Sequence, residues 1–188
     1  LSILEADNRI YSSGKKNNPC FGFRISVQKN RIFGQLLKNK NQQKQRRRQM
    51  AKLTQDMKDV MEKSRGYAVA TCDKDGIPNV VPIHFVKILS DDEIMMADIF
   101  MKKTFENIQQ KPVMAISVWD WDSKPRRGFQ FKGTPRIETS GKIYDMAVEM
   151  VKAEKPDLTA KSAVVLTITD IFVTTPGPNA GKNVEEVE

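Results

Sequence analysis

Histidine is almost missing from this chain: His84 is the only one in 188 residues. That excludes a multi-histidine metal centre, and no HExxH pair is present to build one. Cysteine is nearly as scarce, with Cys20 and Cys72. Only Cys72 falls in the part of the chain that reads as a folded domain, so no internal disulfide framework or CxxC knuckle is expected there. Such cysteine usage fits a reducing cytoplasm. No apolar run approaches the ~20 residues a membrane-crossing helix needs. GxGxxG, Walker and GxSxG-like sequences are also absent, which removes the usual signatures of dinucleotide folds, P-loop enzymes and nucleophile elbows. A lone histidine on a strand is read as structural, and His84 is given no acid/base role.

Acidic residues are scarce over one stretch only. Residues 1–49 hold 12 Lys and Arg against 2 Asp and Glu, a charge of +10, whereas residues 50–188 hold 19 against 21, a charge of −2. The overall +8 therefore belongs to the first 49 residues. These show no sustained helical or strand period and end in a polar, basic run through Arg46-Arg47-Arg48, while Met50-Ala51-Lys52 reads like a natural start. A leader or a disordered basic arm is expected for 1–49, ahead of a small ordered extension. The domain is expected over 50–188.

Periodicity organises that domain. Leu53, Met57, Val60 and Met61 give an amphipathic helix over 53–64, ended by Gly66. Strands are expected at 67–73 and 77–89 across the Asp75-Gly76 turn. Pro82 places the second strand at an edge or a bulge, because proline cannot donate to a ladder. Further strands follow at 93–98, 113–120, 128–138 and 162–174, with helices at 104–110 and 142–154. Many strands with few helices indicate a mainly β fold, an antiparallel barrel or sandwich with helices packed at its ends. The strands do not alternate with crossover-length helices, which argues against a doubly wound sheet.

Chemistry concentrates where the third strand ends. Lys102-Lys103-Thr104 opens the short helix and puts two cations and a hydroxyl at a helix N-terminus. Helix N-termini expose unpaired N–H groups and bind anions. Lysines there oppose the macrodipole unless an anion offsets them, so the alternatives are a phosphate site and a pair of solvated lysines. Trp119-Asp120-Trp121-Asp122 alternates aromatic and acid, read as core packing with a solvated acidic edge ahead of an active-site wall.

The pieces AVATCDKDGIPNVVPI, IMMADIF, KKTFENIQQKPVMAISV and FQFKGTPRI, in this order and spacing, cover about residues 53–175. Together they resemble the pyridoxamine-5′-phosphate-oxidase-like, FMN-binding split β-barrel family, including its small flavoredoxin-type members. The resemblance implies an antiparallel split barrel that dimerises with FMN at the subunit interface. It places flavin contacts on Pro82, Ile83 and His84, largely through backbone, and on Ala97 and Asp98. The phosphate falls to Lys102, Lys103 and Thr104. Gln130 lies near the family's flavin-contacting glutamine, although a strict count back from Gly133 lands on Gly128. Strand alternation puts both on one face. Trp121 is the candidate aromatic for the partner subunit's flavin.

The sequence also departs from the better-known pyridoxamine oxidases. They carry an arginine near Pro82, and an Arg-Lys pair where this chain has Lys103-Thr104. One cation is shifted and one lost, so weaker phosphate binding is expected. The tail PGPNAGKNVEEVE lacks the substrate-binding Arg and His of those enzymes, so true pyridoxamine-phosphate oxidation is not expected.

The resulting expectation is a cytoplasmic homodimeric FMN protein, a flavin reductase or small oxidoreductase with NAD(P)H or another small molecule as electron donor. No residue is assigned as catalytic. The alternatives are a non-enzymatic flavin-binding electron carrier, a deazaflavin- or haem-binding split barrel, and a nucleic-acid-binding protein working through residues 38–48.

Overall fold

The computed structural model describes residues 51–187. The basic segment 1–49, with its leader, arm and nucleic-acid readings, lies outside the described residues.

Helix α1, Gln55–Lys63, forms where Thr54 caps it: the Thr54 hydroxyl accepts the Met57 N–H at 3.4 Å. Asp56 in the first turn and Lys63 in the last complement the helix dipole. Met57, Val60 and Met61 form its buried stripe. The helix stops at Ser64, whose N–H bonds back to the carbonyls of Val60 and Met61.

Strands β1, Tyr67–Cys72, and β2, Pro78–Ile83, follow as a hairpin. Its turn is held by the Asp73 carboxylate, which accepts the N–H groups of Asp75 and Ile77 at 3.0 and 2.9 Å. Gly76 adopts φ +88° there, a conformation that favours glycine.

Next come β3, Val86–Ile88, and β4, Glu93–Asp98. Helix α2, Lys102–Gln110, precedes β5, Met114–Asp120, and β6, Arg127–Glu138. Helix α3, Lys142–Glu154, and β7, Ser162–Val173, complete the main elements, with a short 3-10 turn at Val184–Glu186.

All seven strands join one antiparallel sheet in the order β2-β1-β5-β6-β7-β4-β3. The single strand expected over 77–89 is in fact two, interrupted at His84-Phe85, and the two occupy opposite edges of the sheet. Only those two residues join them. Three residue steps span at most ~11 Å, so the sheet must curl until its edges nearly meet. This gives the split-barrel form, and β2 is the edge strand that Pro82 requires.

Two apolar clusters fill the fold. Met57, Val60, Ile94, Met96, Phe131, Leu166 and Ile168 belong to the larger one. Met95, Ala97, Ala163 and Val165 meet Ala147 and Val151 of α3 in the smaller. Strand β4 alternates between the two, which is why IMMA reads as a continuous apolar run. Where β6 crosses β7 the register shifts between Lys132 and Gly133. A Cβ at Gly133 would lie 1.9 Å from the Thr167 carbonyl oxygen, so only glycine permits the approach. Among the described residues no helix is long and apolar enough to cross a membrane.

Candidate functional site

The seam between the sheet edges opens into a cleft of about 350 Å³. One side is the end of β2 and its continuation, from Val81 to Phe85. The other is Ala97 at the end of β4, then Ile99, Phe100 and Met101, then Lys102, Lys103 and Thr104 of α2. The Ala97 N–H donates to the Phe85 carbonyl at 3.0 Å and ties the two sides together.

Helix α2 opens at Lys102, as expected of Lys102-Lys103-Thr104 and two residues ahead of the span 104–110, and Asp98 fixes that start. Its carboxylate accepts the Met101 N–H at 2.8 Å and the Ser162 hydroxyl at 3.1 Å. Lys102 and Lys103 therefore lie inside the first turn, which contains no acidic residue. Lys102 makes no ion pair among the described residues, and Lys103 approaches only Glu106, at 4.0 Å in an exposed i,i+3 pair. The Lys102 N–H donates to the Phe100 carbonyl at 2.8 Å, and the two cations stand beside the Lys103 and Thr104 N–H groups, to which the helix itself gives no acceptor. This arrangement favours an anion in the cleft.

Seven of the ten residues expected at the site line this cleft: Pro82, Ile83, His84, Ala97, Lys102, Lys103 and Thr104. Asp98 does not. It is buried and lines a neighbouring hollow with Phe105 and Lys161. Gln130 is on the same sheet face as Pro82, in the row Pro82–Ala68–Ser117–Gln130–Phe172. Three strand spacings separate it from Pro82, about 14 Å, so it lies away from the cleft. Trp121, beyond the end of β5, is 56% exposed, with the Arg126 guanidinium 5.5 Å from its ring centroid. It also lies outside the cleft of its own chain.

The His84 ring is engaged with the end of α3. Its Nε2 stands 3.0 and 3.1 Å from the two Glu154 carboxylate oxygens, and the ring meets Phe85 edge-on at 5.0 Å. Phe85, Phe100 and Met101 are lining residues that the sequence did not single out. An exposed phenylalanine such as Phe100, at 76%, breaks no periodic pattern and so gives no signal in the chain. Asp73, in the turn of the β1–β2 hairpin, is held below the usual carboxylate range mainly by the Ile77 N–H, with Lys103 contributing.

Comparison with known proteins agrees with this architecture. The family description for pyridoxamine 5′-phosphate oxidase matches residues 53–175. An uncharacterised protein of Methanocaldococcus jannaschii is 37% identical over 141 residues, covering 74% of this chain and 92% of that protein. The crystal structure of Group A Streptococcus HupZ is similar at a TM-score of 0.60 and 27% identity, covering 69% of this chain and 99% of that one. An FMN-binding protein from Syntrophomonas wolfei shares the fold at a TM-score of 0.54 and 19% identity, covering 62% of this chain and 86% of that one. The match over residues 53–175, borne on a seven-stranded sheet that nearly closes on itself, makes this chain a member of the pyridoxamine 5′-phosphate oxidase family.

Proposed function

We propose that the protein binds FMN in the seam cleft, as a cytoplasmic homodimer, and acts as a flavin reductase or small oxidoreductase. The observation that carries this reading is the pair Lys102 and Lys103 in the first turn of α2, Lys102 with no ion pair among the described residues and Lys103 with only the long, exposed one to Glu106, facing the backbone at the end of β2 across one cleft. The cleft volume lies within the range of small-molecule sites. Its chemistry suits the cofactor: two cations and a helix N-terminus at one end for a phosphate, and apolar Ile99 and Phe100 with edge-strand backbone for a flat ring. When bound, the flavin supplies hydride or electron transfer. The chain's own groups bind it, orient it and shield one side from water.

A second copy is supported by the outer face of the sheet. Val80 and Pro82 of β2 and Val113 and Trp119 beside and on β5 are exposed there, around small side chains at Ala68, Ala70 and Ala115. This is an apolar face of the kind that marks a protein contact.

The first test is the visible spectrum of the purified full chain with added FMN, followed by titration of the variant Lys102→Ala/Lys103→Ala. Loss of one charge-assisted hydrogen bond per lysine should weaken FMN binding by about 3 kcal/mol and leave riboflavin little changed. Unchanged FMN affinity would move the phosphate elsewhere. Reduction of the bound flavin by NAD(P)H would support an oxidoreductase over an electron carrier. A chain that holds no FMN would turn the question to deazaflavin or haem.

A further inference from the structure

Beneath the seam cleft, four polar side chains join β1, β2 and α2. Thr71, Thr104 and Asn107 are buried, at 5%, 1% and 0% exposure, and Asn79 is half-buried. The Asn79 amide nitrogen donates to Thr104 Oγ1 at 3.1 Å and to Thr71 Oγ1 at 3.3 Å. The Asn107 amide nitrogen also donates to Thr71 Oγ1, at 3.0 Å, and leaves Asn107 Oδ1 without a partner.

The direction of these bonds matters. An amide nitrogen can only donate, so the Thr104 oxygen accepts from Asn79 and the Thr104 proton must point elsewhere. Among the described residues Thr104 Oγ1 is the donor in no hydrogen bond. A buried hydroxyl proton left unspent is costly. Thr104 lines the cleft beside Lys102 and Lys103, where an anion is favoured.

We infer that Asn79 is a positioning residue: its amide locks the Thr104 hydroxyl as a hydrogen-bond donor toward an anion in the cleft. The inference rests on the reading of that cleft as a phosphate site and adds a determinant of selectivity for phosphorylated over unphosphorylated flavin. Asn79 touches no ligand itself. It works by filling one lone pair of the Thr104 oxygen, so that the Thr104 proton points away from Asn79.

The test is a double-mutant cycle on the full-length protein, with FMN and riboflavin as the two probes and flavin fluorescence quenching as readout. Asn79→Asp is nearly isosteric but presents an acceptor to Thr104, so the hydroxyl turns inward and is lost to the cleft. It should weaken FMN by about tenfold or more, the scale of one hydrogen bond to a charged group, and leave riboflavin nearly unchanged. Thr104→Val should do the same, and Thr104→Ser should retain FMN binding. The double variant should be no worse than Thr104→Val alone, because Asn79 acts only through that hydroxyl.

If Asn79→Asp fails to fold, Asn79→Leu removes the orienting donor without adding an acceptor or a charge, and should show a smaller loss of FMN binding with riboflavin again nearly unchanged. An equal loss of both flavins would mean that Asn79 merely supports the fold, and would overturn the inference. So would a further loss on adding Asn79→Asp to Thr104→Val, which would mean that the new charge acts on the ligand directly. Wild-type protein that binds FMN no better than riboflavin would instead defeat the phosphate reading itself.

Discussion

Single residues settle two features of this fold. Gly133 sits where the ladder between β6 and β7 slips, and its hydrogen fills the only space the Thr167 carbonyl leaves. Backbone cannot yield as a flexible side chain would. Gly133→Ala should therefore cost about 3 kcal/mol, the upper end of ordinary overpacking, as a shift in urea midpoint at unchanged slope. Asp120 settles the β5–β6 hairpin. Burial pushes its carboxyl up, but the Ser123 N–H, the Arg127 guanidinium and the Asp122 N–H together outweigh it and hold the pKa below the usual range. Arg127 also pairs with Asp56 of α1, so the same charge set joins hairpin to helix. A carboxyl lowered by folding adds stability above its unfolded pKa, about 3.9. That contribution disappears as pH falls through the lower folded value. Asp120→Asn should flatten the fall in denaturation midpoint below about pH 4, and an acid limb identical to wild type would remove Asp120 from that account.

Among the elements, α1 and α3 were legible because their apolar residues recur at helical spacing and packing honours that spacing. Met57, Val60 and Met61 are buried in one case, Ala147 and Val151 in the other. The α1 cap is equally local. Thr54→Ala should destabilise the protein by about 0.5–1 kcal/mol, the lower part of the capping range, given the long 3.4 Å bond; thermal or urea unfolding would measure it. Two spans, 104–110 and 77–89, differ from the elements that form, and contacts between elements explain both. Helix α2 begins at Lys102 because Asp98 receives the Met101 N–H, a bond between a strand end and a helix start. The long strand over 77–89 breaks at His84-Phe85 because its halves must pair with β1 at one edge and β4 at the other. Pro82 marks β2 as an edge or bulged strand, but nothing in the chain says that Val86–Ile88 belongs to the opposite edge.

At the scale of the molecule, the short link between β2 and β3 closes the sheet and creates the cleft in one step. A sheet that closes exposes its outer surface, and here that surface carries Val80, Val113 and Trp119. If a second copy covers it, Val80→Lys should convert a dimer to a monomer. Sedimentation equilibrium or light scattering would read the change directly. A wild-type protein monomeric at micromolar concentration would remove the homodimer and the role given to Trp121 at the partner's flavin.

The sequence by itself determined which segments became strands and helices and which cations and hydroxyl would open α2. Those properties depend on period, turn chemistry and composition, all written locally. It also carried the family resemblance, because the order of short motifs survives without coordinates. Only the tertiary structure decided which of those residues share a cleft. Pro82 and Lys102 meet because the sheet curls, while Gln130, on the same face as Pro82, stays about three strand spacings, or ~14 Å, away. The buried polar set of Thr71, Asn79, Thr104 and Asn107 was likewise invisible in the chain. Its members come from three elements, and hydrogen bonds across elements leave no period in a sequence.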